Sequence, residues 1–196
     1  MGMKVLVACE FSGVVRDAFR KKGHDAWSCD ILPSDKSDYH IHGNVLNHLD
    51  ESWDIMIAHP PCTRLCNSGV RWLNERNLWQ ELEKATKFFN DLKNADIDKI
   101  CVENPIPHKY AKAIIGKYDM LTQPYHHGHE ESKATCFWLD NLPPLFKTKI
   151  VKPVNGSAMH KLPPTKDRWK LRSKTYDGIS QAIVDQWIKP VMKGLI

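Results

Sequence analysis

The chain has 196 residues, 42% hydrophobic and 26% charged, with a net charge of +5. That is the composition of a globular protein with enough chain for one real core, and it excludes disordered, collagenous and disulfide-dense classes. No apolar run approaches the roughly 18 residues of a membrane helix, and the first ten residues lack a signal peptide's apolar stretch and cleavage site, so a cytoplasmic protein is expected, with no membrane partner.

Val5 to Cys9 is a short apolar run that predicts a β-strand almost at the start of the chain. Glu10-Phe11-Ser12-Gly13 follows as a turn, and Val14 to Lys22 reads as a helix closed by Gly23. Ala26 to Asp30 predicts a second strand ending in an acid. Trp53 to Ala58 predicts a third, which runs into His59-Pro60-Pro61-Cys62. Leu78 to Asn94 carries apolar residues at helical spacing, at Leu78, Leu82, Ala85, Phe88, Phe89 and Leu92. Lys99 to Val102 is a strand delivering Glu103-Asn104-Pro105. His108 to Ile115 is a short helix, Thr135 to Leu139 a late strand, and Ser180 to Lys193 a final helix.

Strands alternating with helices predict an α/β fold with a mostly parallel sheet flanked by helices. Such sheets bind ligands at the carboxyl ends of their strands. The chemistry-bearing residues of this chain cluster at those ends: Glu10 to Gly13, Asp30, the Pro-Pro-Cys stretch and Glu103.

Cys62 is held on a loop that two prolines keep out of helix. It suits a nucleophile, whose thiolate His59 and Arg64 are close enough in sequence to favour. Taken alone, it better suits a structural thiol or half of a metal pair with Cys66. Glu103 reads either as a desolvated acid with a raised pKa, able to protonate a ring nitrogen, or as a cap for the helix near His108. His126, His127, His129 and Cys136 fit no common zinc spacing and read as a polar loop, so no metal is expected. The six cysteines are widely spread and predict no disulfide framework.

From Lys147 to Lys174 nine cations face one acid, Asp167. Within this stretch Lys166, Arg168, Trp169, Lys170 and Arg172 place charge around an aromatic ring, which suits phosphate contact with base stacking. The alternative is a solvated tether folded over a cofactor site.

Pro60-Pro61-Cys62 and Glu103-Asn104-Pro105 resemble the nucleophile and glutamate motifs of the cytosine-C5 DNA methyltransferases. Phe11-Ser12-Gly13 is similar to that family's Phe-x-Gly-x-Gly cofactor loop, with Val15 in place of the second glycine. Asp30 matches the acid for the cofactor's ribose. Gly43-Asn44-Val45 resembles Gly-Asp-Ile, with Asn44 in place of the acid that meets the adenine. Glu131 to Thr135 is a reduced Gln-x-Arg-x-Arg, in which Lys133 matches the first arginine and Thr135 replaces the second. Ser180 to Trp187 fits the closing helix. The likeness is nearest to short phage-type DNA cytosine methylases, because residues 141–175 stand where the family has a target-recognition domain.

The resemblance implies a single Rossmann-like class I S-adenosylmethionine-dependent methyltransferase domain over residues 1–196. It implies Cys62, Glu103 and Lys133 as catalytic residues. Glu10, Phe11, Ser12, Gly13, Asp30, Asn44, Pro60 and Ser180 would bind S-adenosylmethionine. Arg64, Arg71, Lys166, Arg168, Trp169, Lys170 and Arg172 would bind nucleic acid. The expected acceptor is cytosine in DNA. The alternatives are RNA, a free cytosine nucleotide, or a catalytically silent binding protein with this fold.

Overall fold

The structure is a computed structural model and describes residues 2–34 and 38–188. Seven strands form one sheet: β1 (Lys4–Ala8), β2 (Asp25–Asp30), β3 (His40–His42), β4 (Ile55–Ala58), β5 (Ile100–Pro105), β6 (Met120–Thr122) and β7 (Thr135–Asp140). Their spatial order is β3-β2-β1-β4-β5-β7-β6. All pairings from β3 across to β5 are parallel, and β7 alone runs against both its neighbours. This is the expected Rossmann-like class I methyltransferase architecture.

The strands alternate their side chains between two buried faces, which is why they read as unbroken apolar runs. Leu6 and Ala8 of β1, Met56 and Ala58 of β4 and Val102 of β5 point into one core. There they meet Leu82, Phe89 and Leu92 of α3 (Trp79–Lys93), together with Ala111 and Ile115 of α4 (Lys109–Ile115). Val5, Val7, Ile55 and Ile57 point the other way, onto Val15 and Phe19 of α1 (Val14–Lys21) and Ile179, Ile183 and Trp187 of α7 (Asp177–Trp187). Phe89, fully buried against the Trp138 ring at 4.9 Å, is the kind of anchor whose truncation to Ala costs about 3–5 kcal/mol.

Three short helices complete the chain: α2 (Arg71–Glu75), α5 (Ala158–Lys161) and α6 (Arg168–Ser173). The last two lie within residues 141–175. The final helix starts three residues earlier than expected, at Asp177, and the part expected from 189 to 193 lies outside the described residues. Strand order reverses between β1 and β4, so a crevice opens beyond their carboxyl ends.

Candidate active site

The turn after β1 is bent by Cys9, a non-glycine residue at φ 58. The bend sends the Glu10 side chain under the start of α1, where Oε1 accepts from Val15 N at 2.8 Å and Oε2 from Arg16 N at 3.2 Å. Glu10 is thus buried as the acidic cap of α1, and burial pushes its carboxyl upward. Gly13 sits at φ 70, and a Cβ there would lie 2.2 Å from the Arg16 guanidinium. Only glycine fits that turn without displacing a buried arginine. Phe11 is buried, with Trp169 packed on its ring at 5.7 Å.

Asp30 ends β2, accepting from Leu32 N at 2.9 Å, and its half-buried carboxyl is raised by desolvation. Asn44 is exposed and caps the short turn Val45–His48 through Leu46 N. Ser180 is buried and donates to Asp177 O within α7, so its hydroxyl is spent on its own helix. Pro60 is buried at the exit of β4. The turn around Gly13, which has no room for a Cβ, together with the Asp30 carboxyl at the neighbouring strand end, fits a nucleoside cofactor such as S-adenosylmethionine.

Across the β4–β5 pair, Ala58 lies opposite Val102, so the next residues, His59 and Glu103, are neighbours. His59 Nδ1 donates to Glu103 Oε2 at 2.6 Å, with the two side chains 11% and 15% exposed. Glu103 was expected to have a raised pKa. Burial does push it upward, but the bond and charge of His59 outweigh that, and the carboxyl lies below its ordinary value. For His59, burial pulls downward and Glu103 pulls upward more strongly, so the imidazole lies above its ordinary value. The pair therefore holds its proton on the imidazole side. His59 Nε2 is buried without a partner among the described residues. Nor does Glu103 cap a helix: His108 caps α4 itself, accepting from Ala111 N through Nδ1.

Cys62 begins a tight turn in which its carbonyl accepts from both Leu65 N and Cys66 N, at 2.9 and 3.0 Å. Its partly buried thiol lies within the fields of Glu103 and Lys133. Hydrogen bonding to Cys66 is the main reason the Cys62 thiol is pushed up, followed by burial. Cys66 is pulled down, chiefly by the thiol of Cys62 and also by Ser68. Gly69 closes the loop, since a Cβ there would stand 2.3 Å from the Thr63 carbonyl oxygen. The loop is stitched to the stretch after β5 at three points: a bridge between Cys66 and Pro107, His108 N on Leu65 O at 2.9 Å, and His108 Nε2 on Arg64 O at 2.8 Å. Arg64 turns away and pairs with Glu81 at 2.6 Å. Arg71 lies over the Trp72 ring at 4.1 Å, with Arg76 also against that ring at 4.0 Å.

Lys133, ahead of β7, lines a cavity of about 10 Å³, the room of a single water, with His59, Glu103, Thr135, Phe137 and Tyr176. Its ammonium donates to Arg172 O at 3.0 Å. With Trp169 on Phe11, and Tyr176 bonded to Glu131, this contact lays the basic segment across the mouth of the site. Trp169 keeps 47% of its surface exposed. Lys170 faces Asp167 at 3.8 Å, and Lys166 and Arg172 are exposed. Sequence reasoning did not single out Thr175 or Tyr176 at the cavity; nothing in their local pattern marks them, because α7 brings them there.

The histidines of 126–129 are structural. His127 bonds Thr122 and Thr148 through its two ring nitrogens, and burial lowers it to about 4. His126 accepts from Gln123 N, and His129 from Gly178 N. Among the described residues no three metal-ligating side chains gather, all six cysteines are free thiols, and no helix is long and apolar enough to cross a membrane.

No family model matches the chain, and no curated protein matches it in sequence. Among solved structures it is similar to a protein assigned as a DNA modification methyltransferase encoded within an E. coli prophage, at 15% identity and a TM-score of 0.48, over 84% of this chain and 56% of that one. It is also similar to the methyltransferase EhMeth of Entamoeba histolytica, at 14% identity and a TM-score of 0.47, over 77% of this chain and 58% of that one. The chain therefore spans less than two thirds of the length of either.

Proposed function

We propose that the chain transfers a methyl group from S-adenosylmethionine to carbon 5 of cytosine in DNA, with Cys62 as the covalent nucleophile. One observation carries this reading. A thiol just beyond the exit of β4 lies within the field of a buried imidazole–carboxylate pair shared by β4 and β5, beside the crevice where strand order reverses.

The turn Phe11 to Gly13, Asp30 and Asn44 would hold the cofactor, which when bound supplies an electrophilic methyl on a sulfonium. Carbon 5 of cytosine is a poor nucleophile while the ring is aromatic. Addition of the Cys62 sulfur to carbon 6 breaks that aromaticity and makes carbon 5 enamine-like. The electron density this drives onto N3 is met by the proton of the His59–Glu103 pair, which is stored next to the ring without ionising solvent. Lys133 stabilises negative charge at the same wall. Loss of the carbon-5 proton to water then expels the sulfur, and the N3 proton returns to the pair. A base within a duplex must be flipped out to reach such a site.

DNA carrying 5-fluorocytosine, incubated with the full chain and S-adenosylmethionine, tests the reading. The expected result is an adduct that survives denaturation and disappears in Cys62→Ser. Trapping on RNA or on the nucleotide in preference to DNA reassigns the acceptor. Trapping on none of them overturns the reading in favour of a silent binding protein, which the packing of Trp169 over Phe11 would then explain.

A further inference from the structure

We propose that Arg71 and Arg76, gathered on the ring of Trp72, form a clamp for backbone phosphates of the DNA strand beside the acceptor base. The inference rests on the reading of DNA as the substrate and gives it a second contact surface, across the crevice from the basic segment.

α2 follows the thiol loop directly. Its Leu73 packs into the core shared with α3 and α4, which pins the short helix in place. Trp72 stays half-buried, while Arg71 and Arg76 are exposed. Both guanidinium carbons lie over the Trp72 ring, at 4.1 and 4.0 Å from its centre, so no more than 8.1 Å separates them. Two cations this close repel each other. Among the described residues no ion pair relieves either one, and Glu75 on the same helix pairs with neither. Arg64, seven residues earlier, is by contrast spent on Glu81 at 2.6 Å. An anion between Arg71 and Arg76 removes the repulsion.

The ring does not use up their donors. A guanidinium drawn to an aromatic face keeps its N–H groups for phosphate oxygens, and the ring limits the freedom that a phosphate contact would otherwise have to remove. Cation and ring also meet on the other side of the thiol loop. Trp79, 38% exposed at the start of α3, stands edge-on to Tyr110 at 5.1 Å, and Lys109 lies over the Tyr110 ring at 4.8 Å. These two residues open α4, whose cap His108 is bonded to the loop.

Cations interleaved with aromatic rings suit a polyanion that also carries flat bases. All of these groups belong to the α3 and α4 side of the sheet, whereas the segment 166–172 runs into α7 on the other side. A strand gripped by both is held on either side of the crevice.

The test is fluorescence anisotropy of a short fluorescein-labelled DNA duplex with the full chain, read as log affinity against log salt. Each lost phosphate contact flattens that slope by about 0.9. Arg71→Gln combined with Arg76→Gln should therefore flatten it by about 2 and weaken binding roughly tenfold at low salt. Adding Lys109→Gln should flatten it by about 1 more. Arg71→Lys combined with Arg76→Lys keeps the charge without the planar fork, so the wild-type slope should persist at weaker affinity. A Gln pair that lowers the unfolding midpoint but leaves the slope unmoved would reduce the arginines to cover for Trp72 and overturn the clamp. Lysines that bind as tightly as the arginines would overturn it too. A wild-type chain that binds no DNA overturns the substrate reading and the clamp with it, so the two failures are told apart by the wild type.

Discussion

Replacing Glu103 is the most informative perturbation of the crevice. In Glu103→Ala the His59 imidazole, 11% exposed, loses the partner of Nδ1, while Nε2 already has none among the described residues. Breaking a buried pair from one side costs about 3–5 kcal/mol, which for a chain of this size lowers Tm by roughly 6–20 °C. Glu103→Gln keeps an acceptor for Nδ1–H and should cost only about 1 kcal/mol at neutral pH. The pH dependence follows from the directions of the two shifts. His59 is raised, so its contribution is complete below its ordinary value of 6.5 and is lost as pH rises through the higher folded value. Glu103 is lowered, so its contribution is present above its ordinary value of 4.5 and is lost as pH falls through the lower folded value. The gap between wild type and Glu103→Gln, measured by urea unfolding, should be widest between those two values and shrink towards pH 9. If Glu103→Ala and Glu103→Gln are equally stable, or the gap is the same at pH 5.5 and pH 9, the two side chains do not form the coupled pair.

Glu10→Ala removes the acceptor of two buried amides at the start of α1; a loss of about 2–4 kcal/mol is expected from its urea midpoint, and an unchanged midpoint contradicts the capping role. Gly69→Ala puts a Cβ 2.3 Å from the Thr63 oxygen, so it should destabilise by about 1–3 kcal/mol and slow 5-fluorocytosine trapping; trapping at the wild-type rate would show that the loop adapts freely. Arg168→Ala combined with Lys170→Ala should weaken DNA binding in fluorescence anisotropy and flatten the slope against log salt by about 2, near 0.9 per phosphate contact. A slope equal to wild type would leave the basic segment as a tether alone.

The elements that carry the site were legible because both faces of the sheet are buried, so β1, β2, β4 and β5 stand out as apolar runs. The three-residue strands His40–His42 and Met120–Thr122 were not, since each is too short for any periodicity and pairs only at the sheet margins. The roles of Cys62 and Glu103 were suggested by their motifs, but the protonation of Glu103 was not. It depends on the register of β4 against β5, which sets His59 beside it. The charge of the segment around Trp169 was plain in the sequence. Its course across Phe11 was not, because that contact joins residues 158 positions apart and leaves no local trace.

The stitching of the thiol loop onto the chain beyond β5 makes residues 62–69 and 103–111 a single cassette, although 33 residues lie between them. Transplanting either stretch alone into another scaffold of this architecture would leave the Leu65 and Arg64 carbonyls without their His108 donors, and would bring a sulfur without the geometry that aims it. Grafts that move both together keep the aim, and variation at His108 should be felt at the sulfur as strongly as variation beside it.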